Sequence, residues 1–262
     1  MSISITSINY CPVKSISFQT IKNCKIRKNI GIVGDRIFAF SKSLDLNQAQ
    51  LFEKKLEERR GKWNKILTLK NTPSLNKYNF ALNDDKLTLT QNKNEILTIN
   101  SNETKEFELI TNKILELENT IQKPLFLMKN KDTPFFDTSI SNKTVLTHSI
   151  SLLNKKSVED FKDKINQEIE PQRFRGNLFV DGIEAWEERN WVGKIIKIND
   201  ISFKVEKNIP RCVAINLKPN TDDNSLNLLQ SLKKTYNHFD MGLYLTALDD
   251  GQVNIGDNVS IK

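Results

Sequence analysis

Arg173, Arg175, Arg211 and Cys212 are of types that suit an anion pocket with one soft ligand in it. The stretch opens with Arg173-Phe174-Arg175-Gly176-Asn177, passes Trp186 and Trp191, and closes on Ile209-Pro210-Arg211-Cys212. Guanidinium groups hold phosphate or carboxylate through charge-assisted hydrogen bonds. A cysteine beside Arg211 adds a sulfur that can act as a metal ligand or a nucleophile. Arg173 and Arg175 are two residues apart, so on an extended segment they share a face while Phe174 points into the core. Asn177 either offers its amide to a ligand or satisfies a turn. Plainer accounts remain open: a pair of surface arginines, and a cysteine buried within the apolar run Cys212-Val213-Ala214-Ile215.

A second group lies near the N-terminus, where Tyr10-Cys11-Pro12-Val13-Lys14-Ser15 is followed by Gly34-Asp35-Arg36. Pro12 ends the first strand, which leaves Lys14 and Ser15 on a loop where a cation and a hydroxyl can meet a ligand. Gly34 permits a tight turn and Arg36 begins the next strand. Taken singly, a solvated lysine and a local Asp35-Arg36 turn account for these residues equally well.

The remaining reactive residues point elsewhere or nowhere. Cys11, Cys24 and Cys212 are odd in number and form no CxxC pair, which argues against a disulfide framework or a structural zinc site. Only two histidines, His148 and His238, are present, which weakens any two-histidine metal scheme, and nothing in the sequence fixes either beside Cys212 for a Cys–His nucleophile pair.

The elements that must position these groups are mostly strands. In the first hundred residues Ile3 to Tyr10, Cys24 with Ile26, Ile37–Phe40, Ile66–Leu69, Tyr78–Leu82, Leu87–Leu89 and Ile96–Ile99 read as strands, with a turn at Asp84-Asp85. Many short strands at this spacing predict a barrel or sandwich. Leu46, Ala49, Phe52 and Leu56 share a helical face after Asp45 as N-cap, and Phe107, Ile110, Ile114 and Leu117 mark another helix over 104–119. Val145-Leu146 leads into a helical region where Ser157-x-x-Asp160 resembles a capping box, with Val158, Phe161 and Ile165 on one face. Lys194–Asn199 and Ile201–Glu206 flank a hairpin at Asn199-Asp200. Leu226, Leu229 and Leu232 mark a last helix, and Gly242–Leu248 and Val253–Ile261 close the chain as strands.

The chain has 262 residues, enough for one large domain or two modest ones without staples, with a soft change of character near residues 100–120. A formal net charge of +7 is either a bias spread over solvated faces or a field that favours anionic partners, and no nucleic-acid motif accompanies it. A basic β-barrel that binds a polyanion is nevertheless one reading of this charge. There is no apolar run near the ~18 residues of a membrane span, and Met1-Ser2-Ile3-Ser4-Ile5 alternates like a strand rather than a signal peptide. The expectation is a soluble, cytoplasmic protein.

In order, Tyr10-x-Pro12-Val13-Lys14-Ser15, Gly34-Asp35-Arg36, Arg173-Phe174-Arg175-x-Asn177, Pro210-Arg211-Cys212 and Gly256-Asp257 resemble the pattern of MOSC-domain proteins preceded by their N-terminal β-barrel domain. The resemblance implies an α+β protein, predominantly β-barrel, with an N-terminal β-barrel-like domain over residues 1–120 and a MOSC domain with flanking helices over 121–262. It implies a molybdenum cofactor of the molybdopterin type, with Cys212 as metal ligand and catalytic thiolate. Lys14, Ser15, Arg36, Arg175 and Asn177 would hold the pterin and its phosphate, with Arg173 and Arg211 in the same cationic set and Thr147 and Ser149 near the cofactor. Reduction of N-hydroxylated compounds is the implied activity, and a persulfide or cofactor carrier with the same cysteine is the alternative. With no ferredoxin extension after Lys262, electrons would come from a separate ferredoxin-like, flavodoxin-like or reductase protein; no membrane or nucleic-acid partner is expected. The sequence departs from the family at Gly176, where many relatives carry proline, at Pro210, which is serine in animal reductases, and at His148, often aspartate or a small polar residue.

Overall fold

The computed structural model describes residues 2–16, 18–59, 61–136 and 149–262. Seven strands close into a barrel: β1 (Ile3–Tyr10), β2 (Ile150–Asn154), β3 (Leu178–Asp181), β4 (Ile195–Ile198), β5 (Ile201–Pro210), β6 (Asp240–Ala247) and β7 (Asn258–Ile261). Around the barrel the order is β3-β2-β6-β5-β4-β7-β1, and β1 returns to β3. The strand nearest the N-terminus therefore completes a barrel whose other six strands all follow residue 149. Closure leaves every one of these strands paired on both sides, which removes the exposed edges an open sheet would present.

Barrel registers explain which residues fill the interior. Ile5 and Ile8 are both buried in the barrel core although they are three residues apart. A regular strand would put them on opposite faces. The β1–β3 register shifts between Ile5 and Ser7, and this bulge brings both isoleucines inward. β2 and β3 pair in parallel, Leu152 opposite Leu178, so the chain needs a crossover between them; the helix α3 (Lys155–Ile165) lies in that connection.

Asn154, not Ser157, is the N-cap of α3, accepting the Lys156 N–H at 3.0 Å. The capping box expected at Ser157 and Asp160 does not form because both side chains serve long-range contacts. The Ser157 hydroxyl bonds the Glu188 carboxylate and accepts the Trp186 N–H, and Asp160 accepts from the Trp186 indole and the Tyr236 hydroxyl. α3 and α4 (Leu228–Tyr236) cover one outer side of the barrel through Val158, Phe161, Leu228 and Leu232, which pack on Leu153, Phe174 and Phe179.

The residues between β1 and β2 build a second body of structure. Strands Tyr78–Asn83, Lys86–Gln91 and Asn94–Asn100 form an antiparallel sheet turned at Asp84 and Asp85. The helix α2 (Phe107–Leu117) buries Phe107, Ile110 and Ile114 against it. α1 (Leu46–Lys54) starts at Asp45 with a complete capping box to Gln48. Strand Phe38–Phe40 pairs with Leu127–Lys129. Ile66–Leu69 forms no strand: one bridge from Ile66 to Ser41 is its only ladder contact among the described residues, and Leu67 and Leu69 are buried as loop anchors. Val253–Ile261 is two strands rather than one. A turn at Gly256 (φ +93°) sends Gly251–Asn254 to pair with Asn23–Arg27, while β7 joins the barrel.

Candidate functional site

A cavity of about 390 Å³ opens where the barrel meets the intervening structure. Its wall draws on three parts of the chain that the sequence analysis had singled out: Ser15 and Arg36, Arg173 with Arg175, and Pro210 with Arg211 and Cys212. Lys70 and Lys207 add to the lining, so six basic residues and no acidic one are among its described lining residues.

The N-terminal rim is held by backbone pairing. After β1 ends, Lys14 N–H donates to the Phe38 carbonyl and Phe38 N–H to Pro12, while Arg36 N–H donates to Cys11. Asp35 accepts the Cys11 N–H at 2.8 Å, pairs with the Arg36 guanidinium and receives the Asn177 amide at 3.2 Å. The Arg36 guanidinium lies between two rings, 5.0 Å from Phe18 and 4.6 Å from Phe136. Phe18 also stacks on Arg175 at 4.6 Å, so an aromatic face is interleaved between two like charges.

Arg173 and Arg175 do not sit on an extended segment. Pro171–Phe174 is a 3-10 turn, with proline at its start, and Arg175 caps it in the left-handed region at φ +50°. Phe174 is fully buried, as the alternation argument expected, but the two arginines part company. Arg173 is bound to Glu170 at 2.6 Å and to the Asn216 carbonyl at 2.7 Å. Arg175 reaches across to the Ile16 carbonyl at 2.9 Å and bonds Cys11. Burial pushes the Arg175 guanidinium down from its ordinary value; Cys11 opposes that shift and neighbouring Arg36 adds to it. Burial likewise pushes the Cys11 thiol up, offset by Arg175 and Arg36.

Ser15, Arg36 and Arg175 all have positive φ. Apart from asparagine, aspartate and glycine, six described residues do so, and half of them are these three wall residues. Each such backbone costs roughly 1–3 kcal/mol and persists only where the surroundings over-determine it.

Asn177 neither reaches the cavity nor merely closes a turn. It is completely buried, accepts from Ser151 N–H (3.1 Å) and the Ser151 hydroxyl (2.8 Å), and donates to the Asn9 carbonyl (3.1 Å) and Asp35. It ties β1, β2 and the Asp35-Arg36 turn together. Lys14 and Ser149 are also buried near these elements without lining the cavity. Thr147 and His148 lie outside the described residues. His238 stacks on Tyr236 and meets Trp186 edge-on, and it does not line the cavity.

Cys212 lies two residues past the end of β5, as the N-cap of a 3-10 turn, Val213–Asn216. Its side chain is exposed rather than buried, because that turn buries Ile215 and leaves Val213 and Cys212 outside. Neighbouring Arg211 turns the other way. Its guanidinium donates to the Met241 and Phe174 carbonyls, and burial pushes its pKa down to about 10. Arg211 thus braces the end of β5 against β6 and the 3-10 turn at Phe174. The sequence reading missed Lys207, Tyr244, Ser151 and Phe136 in the lining; nothing local distinguishes them from ordinary strand or loop residues.

Residues 140–260 match the MOSC domain family. The chain is 28% identical over 122 residues to mitochondrial amidoxime reducing component 2 of Rattus norvegicus, covering 42% of this chain and 36% of that protein. It is 28% identical over 144 residues to molybdenum cofactor sulfurase of Bombyx mori, covering 52% of this chain and 16% of the relative. The chain thus spans well under half the length of either. Among solved structures, the YUAD protein from Bacillus subtilis superposes over 99% of this chain and 94% of its own at a TM-score of 0.44 and 10% identity. YiiM from Geobacillus stearothermophilus does so over 43% and 53% at 0.35 and 15%. The stretch that matches the MOSC domain family holds Cys212 and, but for the last residue of β7, six of the seven barrel strands.

Proposed function

We propose that this chain binds a molybdenum cofactor of the molybdopterin type in the basic cavity and reduces N-hydroxylated compounds, with Cys212 as the metal ligand. The observation that carries the reading is an exposed cysteine on a wall with four arginines and no acidic residue among those described. The donor set fits such a group. A phosphorylated pterin calls for cationic hydrogen-bond donors, and a thiophilic metal calls for an accessible sulfur. Ser15, Arg36, Arg173 and Arg175 would hold the anionic portion and Cys212 the metal. The names of the two relatives, an amidoxime reducing component and a molybdenum cofactor sulfurase, support the same cofactor.

When bound, the cofactor supplies two-electron chemistry at an oxygen atom. The conversion of an N–OH group to N–H consumes two electrons and two protons and releases water, and a separate donor protein would deliver the electrons. This chain's residues position and screen. The Phe18 and Phe136 rings fix Arg36 in orientation, Asn177 and Asp35 fix the turn that carries it, and Arg211 fixes the strand end that presents Cys212.

Cys212→Ser tests the reading. Reduction of benzamidoxime by the cofactor-loaded protein is expected to fall by at least about a hundredfold with the fold intact by circular dichroism. Undiminished turnover would remove Cys212 from the mechanism. The accessibility of Cys212 also favours a second reading, a sulfur carrier, for which mass spectrometry of the purified protein would show a labile sulfur adduct on Cys212 without molybdenum.

A further inference from the structure

Lys207 is the lining residue whose presence on the cavity wall needs the most explanation. Val205, two residues earlier on β5, packs in the barrel core. Side chains on a regular strand alternate, so an unbroken β5 would carry the Lys207 ammonium into that core as well. The register prevents this. Val205 lies opposite Leu245, Lys207 lies opposite Tyr244, and the shift between them inserts one extra residue on β5. Leu243 and Leu245 are fully buried while Tyr244 is half-buried, so after the bulge Lys207 shares the outward face of Tyr244. Both side chains line the cavity. A bulge that re-aims one side chain next to a site is a recurrent device of β-structure.

What Lys207 meets there is also distinctive. Each lining arginine commits at least one donor to the protein: Arg36 to Asp35, Arg173 to Glu170, Arg175 to Ile16 and Arg211 to Met241. The Lys207 ammonium has no hydrogen-bond or ion-pair partner among the described residues. The Tyr244 ring packs edge-to-face on Phe136 at 5.8 Å and 74°. One stretch of wall therefore combines an angled pair of aromatic rings with an uncommitted ammonium.

We propose that Lys207 is a specificity-determining residue that selects substrates carrying an anionic group on an aromatic frame, such as an N-hydroxylated aromatic carboxylate; this rests on the reductase reading given above. The aromatic pair takes the ring, and the ammonium pairs with the carboxylate.

The test compares wild type with Lys207→Ala, Lys207→Glu and Lys207→Arg on benzamidoxime and on its 4-carboxy derivative, with molybdenum and pterin content measured on each preparation. Cofactor content is expected to match wild type in all three variants. KM for the carboxylated substrate is expected to rise about tenfold in Lys207→Ala and further in Lys207→Glu, while benzamidoxime stays within about twofold and Lys207→Arg retains the preference. An equal change on both substrates overturns the proposal, as does loss of pterin in Lys207→Ala, which would assign the ammonium to the cofactor. Calorimetric titration of the same proteins with benzoate and benzamide separates this inference from the reductase reading. A preference for benzoate that vanishes in Lys207→Ala supports Lys207 even in protein that reduces nothing. No preference in wild type overturns it.

Discussion

Two concavities of unlike construction lie in this molecule. The cavity at Cys212 holds about 390 Å³, and a groove between α1, α2 and the segment 123–128 holds about 680 Å³. The larger one is lined by helical faces and by both signs of charge, Glu53 and Glu108 with Lys54 and Lys123. None of its lining residues has positive φ, whereas Ser15, Arg36 and Arg175 in the smaller one all do. Size alone would choose the groove at α1 and α2. A single sign of charge, an accessible sulfur and backbone held in costly conformations mark the other.

The comparison breaks or sharpens through a graded set of changes. Arg36→Met should lower the molybdenum and pterin that co-purify with the protein about tenfold, while Lys54→Met in the larger groove should leave both unchanged; elemental analysis decides, and equal effects would erase the distinction. Asn177→Leu should destabilise the fold by about 3 kcal/mol in urea denaturation, since it strands buried partners on Ser151, Asn9 and Asp35 at once. Arg211→Met should cost about 1–3 kcal/mol by leaving the Met241 and Phe174 carbonyls without their donor, with a smaller loss of cofactor than Arg36→Met; the reverse ranking would make Arg211 a ligand-binding group and not a brace.

The mildest change concerns Glu188 behind the barrel wall. Burial pushes its carboxyl above the usual glutamate range, against the neutral donors Asn154 and Ser157. With the folded pKa raised, its contribution is fully present below the unfolded value of about 4.3 and is lost as pH rises through the folded one. Melting temperature followed upward from pH 4 should therefore decline less steeply in Glu188→Gln than in wild type.

Much of this architecture is written locally. The Asp45–Gln48 capping box, the apolar faces of α1 and α2, and the strands around Asp84-Asp85 each depend on neighbours a few residues away, and the sequence pattern finds them. What it misses depends on distant partners. Ser157 looks like a cap until Glu188 and Trp186 claim its hydroxyl, and Asn177 looks like a turn residue until β1 and Asp35 claim its amide. Val253–Ile261 reads as one strand because nothing local shows that its two halves join different sheets. The apolar run after Cys212 suggests a buried thiol, but a 3-10 turn buries Ile215 alone among the four residues Cys212–Ile215. Of the ten candidate site residues, Ser15, Arg36, Arg173, Arg175, Arg211 and Cys212 meet at one cavity, because those segments flank strand ends that the barrel gathers on one side.

β1 lies between β3 and β7, so the first barrel strand in chain order is hydrogen-bonded to the last one of the barrel. The ring of strands cannot shut until β7 has been made, and until then Ile5 and Ile8 remain unsheltered on a tethered chain. Long-range pairing of this kind makes folding slow, and it makes the nascent polypeptide a natural client for chaperones.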